Sequence, residues 1–384
     1  MKIAFDSKRA FLNNSGLGNY SRTLIKSLNN CFPKNNFILY TTRQGHNEFQ
    51  QYILSHSNVS IEEPKSFMDK KLRSRWRSYS ITDSLEELGI DIFHGLSNEL
   101  PFNIHKFKGK KIVTIHDLLF LRYPKLYPFL DRKIYNKKFR HACDQADIII
   151  AISEETKRDI ENFYFIPESK IKVVYQSCDE LYNNDFSDLE LNNIKVKYNL
   201  PPNFLLYVGT IEERKNLLTI VKALKQVNEM LVVVGKKKNY FNLVKNYLKD
   251  NNLEPRVLFL ENVENADLPG IYRMAKLFLF PSLYEGFGIP IIEALTSKIP
   301  VITSKGGCFP EAGGPNSIYI NPTDENELAE KINLIFSSKE IRNEMVEKGF
   351  EYVQKFHPKI ITKELMSVYS GSRLPLPLEE GNKN

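Results

Sequence analysis

The sequence has few cysteines and no long apolar run, and these shortages exclude several classes of protein. Its four cysteines form no C-x-x-C pair and have no histidine-rich neighbour, so we expect neither a disulfide framework nor a zinc site. No apolar run is long enough to span a bilayer, and the opening MKIAFDSKRA lacks the apolar core of a signal peptide. No two aspartates are spaced as D-x-D, a pattern that holds a divalent cation. We therefore expect a cytoplasmic protein with no metal and no other cofactor.

The composition is otherwise that of an ordinary globular chain with an excess of positive charge. The 384 residues are 42% hydrophobic and 26% charged, and this length suits about two domains. The net charge of +7 favours anionic partners such as nucleotide phosphates, acidic lipid headgroups or nucleic acid. No helix-turn-helix, zinc-finger or RNP-type motif accompanies this charge, which argues against nucleic acid.

Short apolar runs alternate with amphipathic stretches in both halves of the chain. This alternation predicts an α/β protein with two doubly wound, Rossmann-like parallel sheets. The predicted strands are residues 3–5, 37–40, 91–93, 112–115, 148–152 and 171–175, and then 204–208, 231–234, 257–260, 277–280, 301–303 and 318–320. The polar stretch Ser177–Pro202, with its Asn/Asp run and closing Pro-Pro, is predicted as the linker between domains at residues 1–180 and 200–357.

The segment FPSLYEGFGIPIIEA, from Phe280 to Ala294, gives the strongest indication of function. A predicted strand leads into a glycine-rich loop and then into a helix, whose first N–H groups favour an anion such as a phosphate. Glu285 then faces the ligand, and Glu293, expected in the first helical turn, is placed to accept hydrogen bonds from a hydroxylated ligand. A sugar nucleotide offers all of these partners. The backbone groups expected to meet its phosphates belong to Gly286, Phe287, Gly288 and Ile289.

This segment resembles the E-x7-E signature of the family 4 glycosyltransferases, which are retaining enzymes of the GT-B fold. The resemblance covers nearly the whole chain and is most specific in the second half. It implies two domains facing across a cleft, the first binding the acceptor and the second the nucleotide sugar. It also implies a helix at about residues 358–372 that crosses back to the first domain, which leaves Leu374–Asn384 as a loose tail. By this resemblance Glu285 binds the sugar and Glu293 the ribose.

The stretch Gly209–Asn216 follows a predicted strand and resembles the family's G-x4-R-K-N motif. In the family the basic pair, here Arg214 and Lys215, grips the donor diphosphate. Charge accumulates on this leaving group as the glycosidic bond breaks, so fixed cations act mainly on the transition state and substitute for a metal. Many relatives have arginine directly after the glycine, where this chain has Thr210, so the division of labour within the pair stays open.

A turn near the amino terminus contains a second glycine pair. The stretch Ser15–Tyr20, with Gly16 and Gly18, resembles the family loop that closes over the donor phosphates, and a simple tight turn is the alternative. The dinucleotide fingerprint G-x-G-x-x-G is absent because residue 21 is serine, which argues against a nicotinamide enzyme.

Polar residues at the ends of predicted strands complete the candidate site. His116 resembles the family histidine that approaches the transferred sugar, where it would bond a hydroxyl or stabilise charge at the anomeric carbon. His94 is a secondary candidate, and Ser153 is predicted to cap the next helix.

Two basic stretches of the first half are suited to an anionic membrane surface. Lys70–Arg77 places five cations around the only tryptophan, Trp76. In the predicted helix at 128–142 one face carries the cations Lys133, Lys137 and Arg140. Another face carries the apolar residues Tyr135, Phe139 and Ala142. Solvated helix faces packed against the core are the alternative.

These features predict a retaining, metal-independent glycosyltransferase similar to the mannosyltransferases of bacterial surface polysaccharide assembly. The similarity includes Ser153–Asp159, which approximates the pattern S-E-x-x-K-R-D. The donor would be a GDP-linked hexose before a UDP-linked one, and the acceptor a glycan or a polyprenyl-linked oligosaccharide. Peripheral association with the inner face of the plasma membrane stays open. Two rival functions remain: a sugar-nucleotide epimerase or hydrolase, and a non-catalytic subunit that binds glycan or membrane.

Overall fold

The computed structural model describes residues 1–13, 16–45 and 47–371. These residues form two compact units, each built around one parallel sheet. Unit 1 comprises residues 1–152, 156–176 and 358–371, and unit 2 comprises 153–155 and 177–357. Ser15, residue 372 and Leu374–Asn384, which entered the predictions above, lie outside the described residues.

Unit 1 contains seven parallel strands with the spatial order third, second, first, fourth, fifth, sixth, seventh. They are β1 (Lys2–Asp6), β2 (Asn36–Tyr40), β3 (Val59–Glu62), β4 (Ile92–Gly95), β5 (Lys110–Ile115), β6 (Ile148–Ala151) and β7 (Ile171–Val173). Central strands such as β6, with sequence IIIA, are apolar throughout because helices cover both faces of a parallel sheet. The sequence did not predict β3, whose alternating Val-Ser-Ile-Glu is short and half exposed at the sheet edge.

The helices of unit 1 lie between the strands, and one more comes from the carboxyl terminus. They are α1 (Lys8–Leu12), α2 (Gly16–Cys31), α3 (Asn47–Leu54), α4 (Phe67–Lys71), α5 (Arg73–Arg75), α6 (Ile81–Glu87), α7 (Leu119–Arg122), α8 (Phe129–Gln145) and α9 (Glu154–Tyr164), with a π-helical turn at Trp76–Ser80. The terminal helix, Pro358–Ser370, packs against α2. Its Tyr369 is buried, and the Tyr369 hydroxyl lies 2.6 Å from Nδ1 of His94.

Unit 2 contains six parallel strands in an order of the same type. They are β8 (Phe204–Val208), β9 (Met230–Val234), β10 (Val257–Leu260), β11 (Leu277–Phe280), β12 (Val301–Ser304) and β13 (Ile318–Ile320), arranged as β10-β9-β8-β11-β12-β13. Its helices are α10 (Asp188–Lys197), α11 (Leu217–Ala223), α12 (Tyr240–Asp250), α13 (Leu268–Met274), α14 (Ile289–Thr296), α15 (Phe309–Gly313), α16 (Glu325–Ser337) and α17 (Lys339–Val353), so the terminal helix of unit 1 is α18.

The polar stretch predicted as a linker is instead part of unit 2. Ser177–Pro202 contains α10, which begins with a capping box between Ser187 and Glu190 and packs against α13 through the buried Ile194. The Asn/Asp-rich composition therefore marks a helix start and its flanking turns within unit 2, and not a linker between the units.

Both sheets have a point where the strand order reverses. It lies between β1 and β4 in unit 1 and between β8 and β11 in unit 2. In open parallel sheets, loops leave such a point in opposite directions, and ligands bind in the resulting crevice at the carboxyl ends of the strands. No helix within the described ranges is long and apolar enough to cross a membrane.

Candidate active site

Three predicted site residues meet at the strand-order reversal of unit 2. The chain leaves β8 and forms a 3₁₀ turn, Glu213–Lys215, while the loop after β11 carries Glu285. Lys215 Nζ lies 2.5 Å from Glu285 Oε1, and Arg214 Nη1 lies 2.6 Å from Glu285 Oε2. One carboxylate thus faces two cations. Arg214 Nη2 also lies 2.9 Å from Glu212, which Lys238 contacts in turn, so three cations and two carboxylates leave one net positive charge.

The cluster is largely withdrawn from water. The Lys215 and Glu285 side chains are 13% and 12% exposed. Burial lowers the pKa of Lys215, although Glu285 opposes this change. Burial alone would raise the pKa of Glu285, but attraction by Lys215 and Arg214 outweighs it and holds that pKa below its usual value. The carboxylate is therefore ionised at neutral pH beside the two cations.

Asn216 holds the basic pair in place, a role that the sequence did not reveal. Its backbone is left-handed, with φ of 56°, and its Nδ2 donates to the carbonyls of Pro281 and Pro322 at 3.1 and 2.5 Å. Asparagine tolerates this conformation better than most residues, which was the available signal in the R-K-N motif. Arg214 is fixed further because its Nη1 donates to the Tyr284 carbonyl at 2.6 Å.

Two glycines allow the β8 and β9 loops to approach each other. Gly209 has φ of 154° and Gly235 has φ of 158°. A Cβ on Gly235 would lie 1.9 Å from the Gly209 carbonyl oxygen, which no side chain tolerates. Gly209 was predicted to belong to the site, whereas Gly235 was missed, although glycine directly after an apolar strand was its signal.

The loop before α14 is held by its carbonyl groups. Cys308 Sγ donates to the carbonyls of Glu285 and Phe287, at 3.3 and 2.8 Å, and Ser153 Oγ donates to the Gly286 carbonyl at 2.7 Å. The Phe287 side chain is buried against Phe356, with ring centroids 5.5 Å apart. Phe287 therefore anchors the loop through its side chain, while its backbone lies in the predicted phosphate-binding stretch.

The start of α14 follows from two neighbouring residues. Gly288 has φ of 135°, a conformation that favours glycine, and Ile289 is the first helical residue. Pro290 follows in the first turn, where its missing N–H removes no helical hydrogen bond.

Glu293 lies just beyond the first helical turn, in which it was predicted. Since α14 begins at Ile289, Glu293 is its fifth residue, and the first turn contains no acidic side chain. The Tyr272 hydroxyl donates to Glu293 Oε2 at 2.8 Å, and the Tyr182 hydroxyl is a second partner. Burial raises the pKa of Glu293 to about 7, although both tyrosines oppose the rise. The expected stabilisation by the helix dipole was wrong, because desolvation dominates at this position.

The two strand-end histidines of unit 1 are both buried in hydrogen-bond networks. His116 Nε2 lies 2.8 Å from the Leu96 carbonyl and so carries the proton, and Nδ1 accepts from Gln176 Nε2 at 3.1 Å. Burial lowers the pKa of His116 to about 4, so the ring is neutral. A sugar hydroxyl can bond Nδ1 only if Gln176 releases it. His94 bonds Tyr369 and Thr114 and is a structural residue.

The Gly16/Gly18 turn is the first turn of α2, not a loop preceding the helix. Helix α2 already begins at Gly16 and includes both glycines. A Cβ on Gly18 would lie 1.8 Å from the Asn13 carbonyl oxygen, whereas a Cβ on Gly16 would meet nothing within 4 Å. Close backbone packing therefore explains why residue 18 is glycine, whereas residue 16 has room for a side chain.

The predicted basic surface of unit 1 differs from expectation. Trp76 is buried against Tyr40, and the largely covered Arg77 forms ion pairs with Asp6 and Glu99, so neither is available to a membrane surface. Several large apolar side chains in or next to the two basic segments do face solvent, namely Phe67, Met68, Leu72, Tyr79, Phe129, Leu130, Ile134 and Tyr135. Together with the exposed cations of both segments they form what we name the apolar–basic surface.

The two halves of the apolar–basic surface are joined at Glu99. Arg77 Nη1 lies 2.6 Å from Glu99 Oε2, and Lys138 Nζ on α8 lies 3.4 Å from the same carboxylate. Phe102 provides a second link, because its ring lies 5.7 Å from the Tyr79 ring and 5.0 Å from the His141 ring. The two stretches are therefore neighbours on unit 1.

Comparison with known proteins identifies the family. A model described as Glycosyltransferase Family 4 matches residues 15–180, and one described as Glycosyl transferases group 1 matches residues 190–352. The chain belongs to the family 4 glycosyltransferases. The GT-B fold predicted from the sequence is likewise confirmed, since solved glycosyltransferases share both parallel-sheet units.

Relatives of this glycosyltransferase include enzymes of surface polysaccharide synthesis. O-antigen chain mannosyltransferase B of Escherichia coli is 26% identical over 72% of this chain and 74% of its own length. O-antigen chain mannosyltransferase RfbU of Salmonella typhimurium is 28% identical over 58% of this chain and 60% of its own length. Among solved structures, Anabaena HepE in complex with UDP and glucose superposes with a TM-score of 0.76 and 17% identity, covering 97% of this chain and all of HepE.

Proposed function

We propose that this glycosyltransferase moves a hexose from a nucleotide diphosphate sugar to a glycan or lipid-linked acceptor in surface polysaccharide synthesis. The single observation that carries the proposal is the Arg214–Lys215–Glu285 cluster at the strand-order reversal of unit 2. A net positive cluster beside a helix start suits a diphosphate. The O-antigen mannosyltransferase relatives support mannose as the hexose, and the UDP in the HepE structure supports a UDP-linked donor. A GDP-linked donor stays a prediction.

The chemistry assigned to the cluster is stabilisation of the leaving group. As the anomeric carbon–oxygen bond breaks, negative charge grows on the diphosphate, and Lys215 and Arg214 already stand fixed to receive it. Both cations pair with Glu285, so a phosphate that binds them displaces a carboxylate as well as water. A freed Glu285 oxygen then becomes an acceptor for a sugar hydroxyl. We propose that no metal is needed, because these fixed cations act on the developing charge.

The other contacts with the donor are assigned to Glu293 and to the loop before α14. Glu293, ionised above neutral pH, would accept the ribose hydroxyls, and the Gly286–Ile289 backbone would donate to the phosphates. We propose that configuration at the anomeric carbon is retained by same-face attack. The acceptor hydroxyl then loses its proton towards the departing phosphate, and no protein nucleophile is required. The contact of His116 with the transferred sugar stays a prediction.

We also propose that unit 1 associates peripherally with anionic membranes through the apolar–basic surface. Exposed aromatic and aliphatic side chains beside lysines and arginines match the interfacial region of a bilayer. Flotation with liposomes tests this. Wild type should float with vesicles containing anionic lipid, and Leu130→Ser with Ile134→Ser should remain at the bottom. Equal flotation of both proteins would refute the surface.

The enzymatic proposal is tested by screening nucleotide sugars with thermal unfolding, followed by product analysis. A donor present at 100 times its dissociation constant should stabilise the protein by about 2.7 kcal/mol. With the identified donor and a glycan acceptor, a new glycosidic bond is the expected product. An isomerised or freed sugar without dependence on acceptor would favour the epimerase or hydrolase alternative, and no turnover with any donor would favour a non-catalytic subunit.

A further inference from the structure

The strand-order reversal of unit 1 carries an unusual set of charges. β1 continues into Asp6, Lys8 and Arg9, β4 leads to Glu99, and β5 leads to His116. Arg77 lies 2.6 Å from both carboxylates, and Lys138 adds a second cation to Glu99. The two acidic side chains here are therefore already neutralised by cations other than Lys8 and Arg9.

Lys8 and Arg9 remain as half-buried cations at this crevice. Within the part of the chain that the structure describes, neither side chain forms an ion pair. Burial is the main cause that lowers the pKa of Lys8, and repulsion from Arg77 and Arg9 adds to it, whereas Asp6 and Glu99 oppose the change. Two adjacent cations that are partly withdrawn from water reduce stability. Costly arrangements of this kind are concentrated at sites where a ligand supplies the opposite charge.

The charge of Arg9 also acts on His116. The pKa of His116 is lowered mainly by burial, and the Arg9 charge lowers it further. Arg9 thus lies within electrostatic range of the histidine whose family counterpart approaches the transferred sugar, on the unit expected to bind the acceptor.

We propose that Lys8 and Arg9 form an anion subsite that binds a phosphate or diphosphate group on the acceptor. The subsite rests on the proposed function, since it names the class of acceptor for the same reaction. The subsite also lies beside the apolar–basic surface, because Arg77 and Glu99 belong both to this crevice and to the link between the two segments of that surface. A lipid diphosphate presents its charge at a membrane surface, which is the surface that the apolar–basic side chains are proposed to contact. A lipid-linked diphosphate and a soluble sugar phosphate both supply the required charge.

Three acceptors that share one sugar separate these sources. They are a neutral alkyl glycoside, the sugar 1-phosphate and a short-chain lipid diphosphate sugar. Wild type should show a KM about tenfold or more lower for either charged acceptor than for the neutral one. A further gain for the lipid form, present only with vesicles, would identify the lipid as the source. Lys8→Gln with Arg9→Gln should abolish the charge preference and leave the KM for the neutral acceptor unchanged.

Two controls accompany this double variant. Lys34→Gln removes an exposed positive charge before β2, at the opposite end of the sheet, and should keep the wild-type preference. Lys8→Arg with Arg9→Lys retains both charges and should retain most of the preference. If it does, the loss of preference in the glutamine variant is due to the lost charges and not to substitution at these two positions.

Calorimetry with the sugar 1-phosphate, without donor, provides a readout that does not depend on turnover. Binding by wild type that is lost in the glutamine variants supports the subsite even if no transfer occurs, in which case the proposed function fails instead. Transfer with equal KM for neutral and charged acceptors overturns the subsite and leaves the proposed function intact. Equal weakening of all three acceptors by the glutamine variants overturns it as well.

Discussion

Replacing Glu293 by glutamine should stabilise the ligand-free protein at alkaline pH while weakening donor binding. Burial raises the pKa of Glu293 from its ordinary value of 4.5 to about 7. The folded protein therefore holds this proton more tightly than the unfolded chain does. The resulting stability is fully present below pH 4.5 and is lost as the pH rises through 7. At about 1.4 kcal/mol for each pKa unit, the loss amounts to roughly 3 kcal/mol by pH 8.

Glutamine keeps an acceptor oxygen for the Tyr272 hydroxyl and carries no charge, so the variant does not suffer this loss. Urea unfolding of both proteins at pH 5, 6, 7 and 8 measures the effect. Between pH 5 and 8 the difference in unfolding free energy should move by about 2–3 kcal/mol in favour of the variant. Glu347→Gln, at an exposed site on α17, should run parallel to wild type.

The same variant separates stability from function. Calorimetric titration with a nucleoside diphosphate should show affinity reduced by about tenfold at pH 8, where the wild-type carboxylate is ionised and accepts two ribose bonds. Wild-type affinity should itself fall as the pH drops from 8 to 6. A difference in stability that is constant from pH 5 to 8, or donor affinity unaffected by the substitution, would refute this account of Glu293.

Three further predictions concern the cluster and its supports. Lys215→Ala should lower kcat/KM for transfer by about 10²-fold or more, and Lys222→Ala on α11 should not; similar rates for both variants would remove Lys215 from the mechanism. Transfer assays with excess EDTA should match untreated enzyme, and a strict loss restored by Mn²⁺ would contradict metal independence. Asn216→Ala should reduce the unfolding free energy by about 1–3 kcal/mol in urea titrations, since two carbonyls lose their donor, and an unchanged midpoint would speak against this anchor.

The cluster of unit 2 could be predicted from the sequence because it depends on topology. Parallel strands end at the same edge of a sheet, so residues just beyond β8 and β11 were bound to be neighbours once both strands were recognised. Strand recognition was reliable because runs such as Phe204–Val208 are apolar throughout. The sequence could not predict that Glu285 bonds both cations, since that geometry depends on the left-handed turn at Asn216.

The failures share one cause, namely tertiary burial that local composition does not report. Trp76 and Arg77 look like a basic interfacial patch in sequence, yet the tryptophan packs against Tyr40 and the arginine binds Asp6 and Glu99. These partners are about 20 to 70 residues away, so no local pattern indicates them. The raised pKa of Glu293 has the same origin, because it comes from burial, which the sequence around α14 does not report.

A crystal structure with bound nucleoside diphosphate would show whether the fixed cations of unit 2 neutralise the departing diphosphate. We expect phosphate oxygens within about 3 Å of Lys215 Nζ and the Arg214 guanidinium. We also expect that Glu285 has given up at least one of its two ion pairs. A diphosphate bound elsewhere, with both Glu285 ion pairs intact, would contradict this role of the cations.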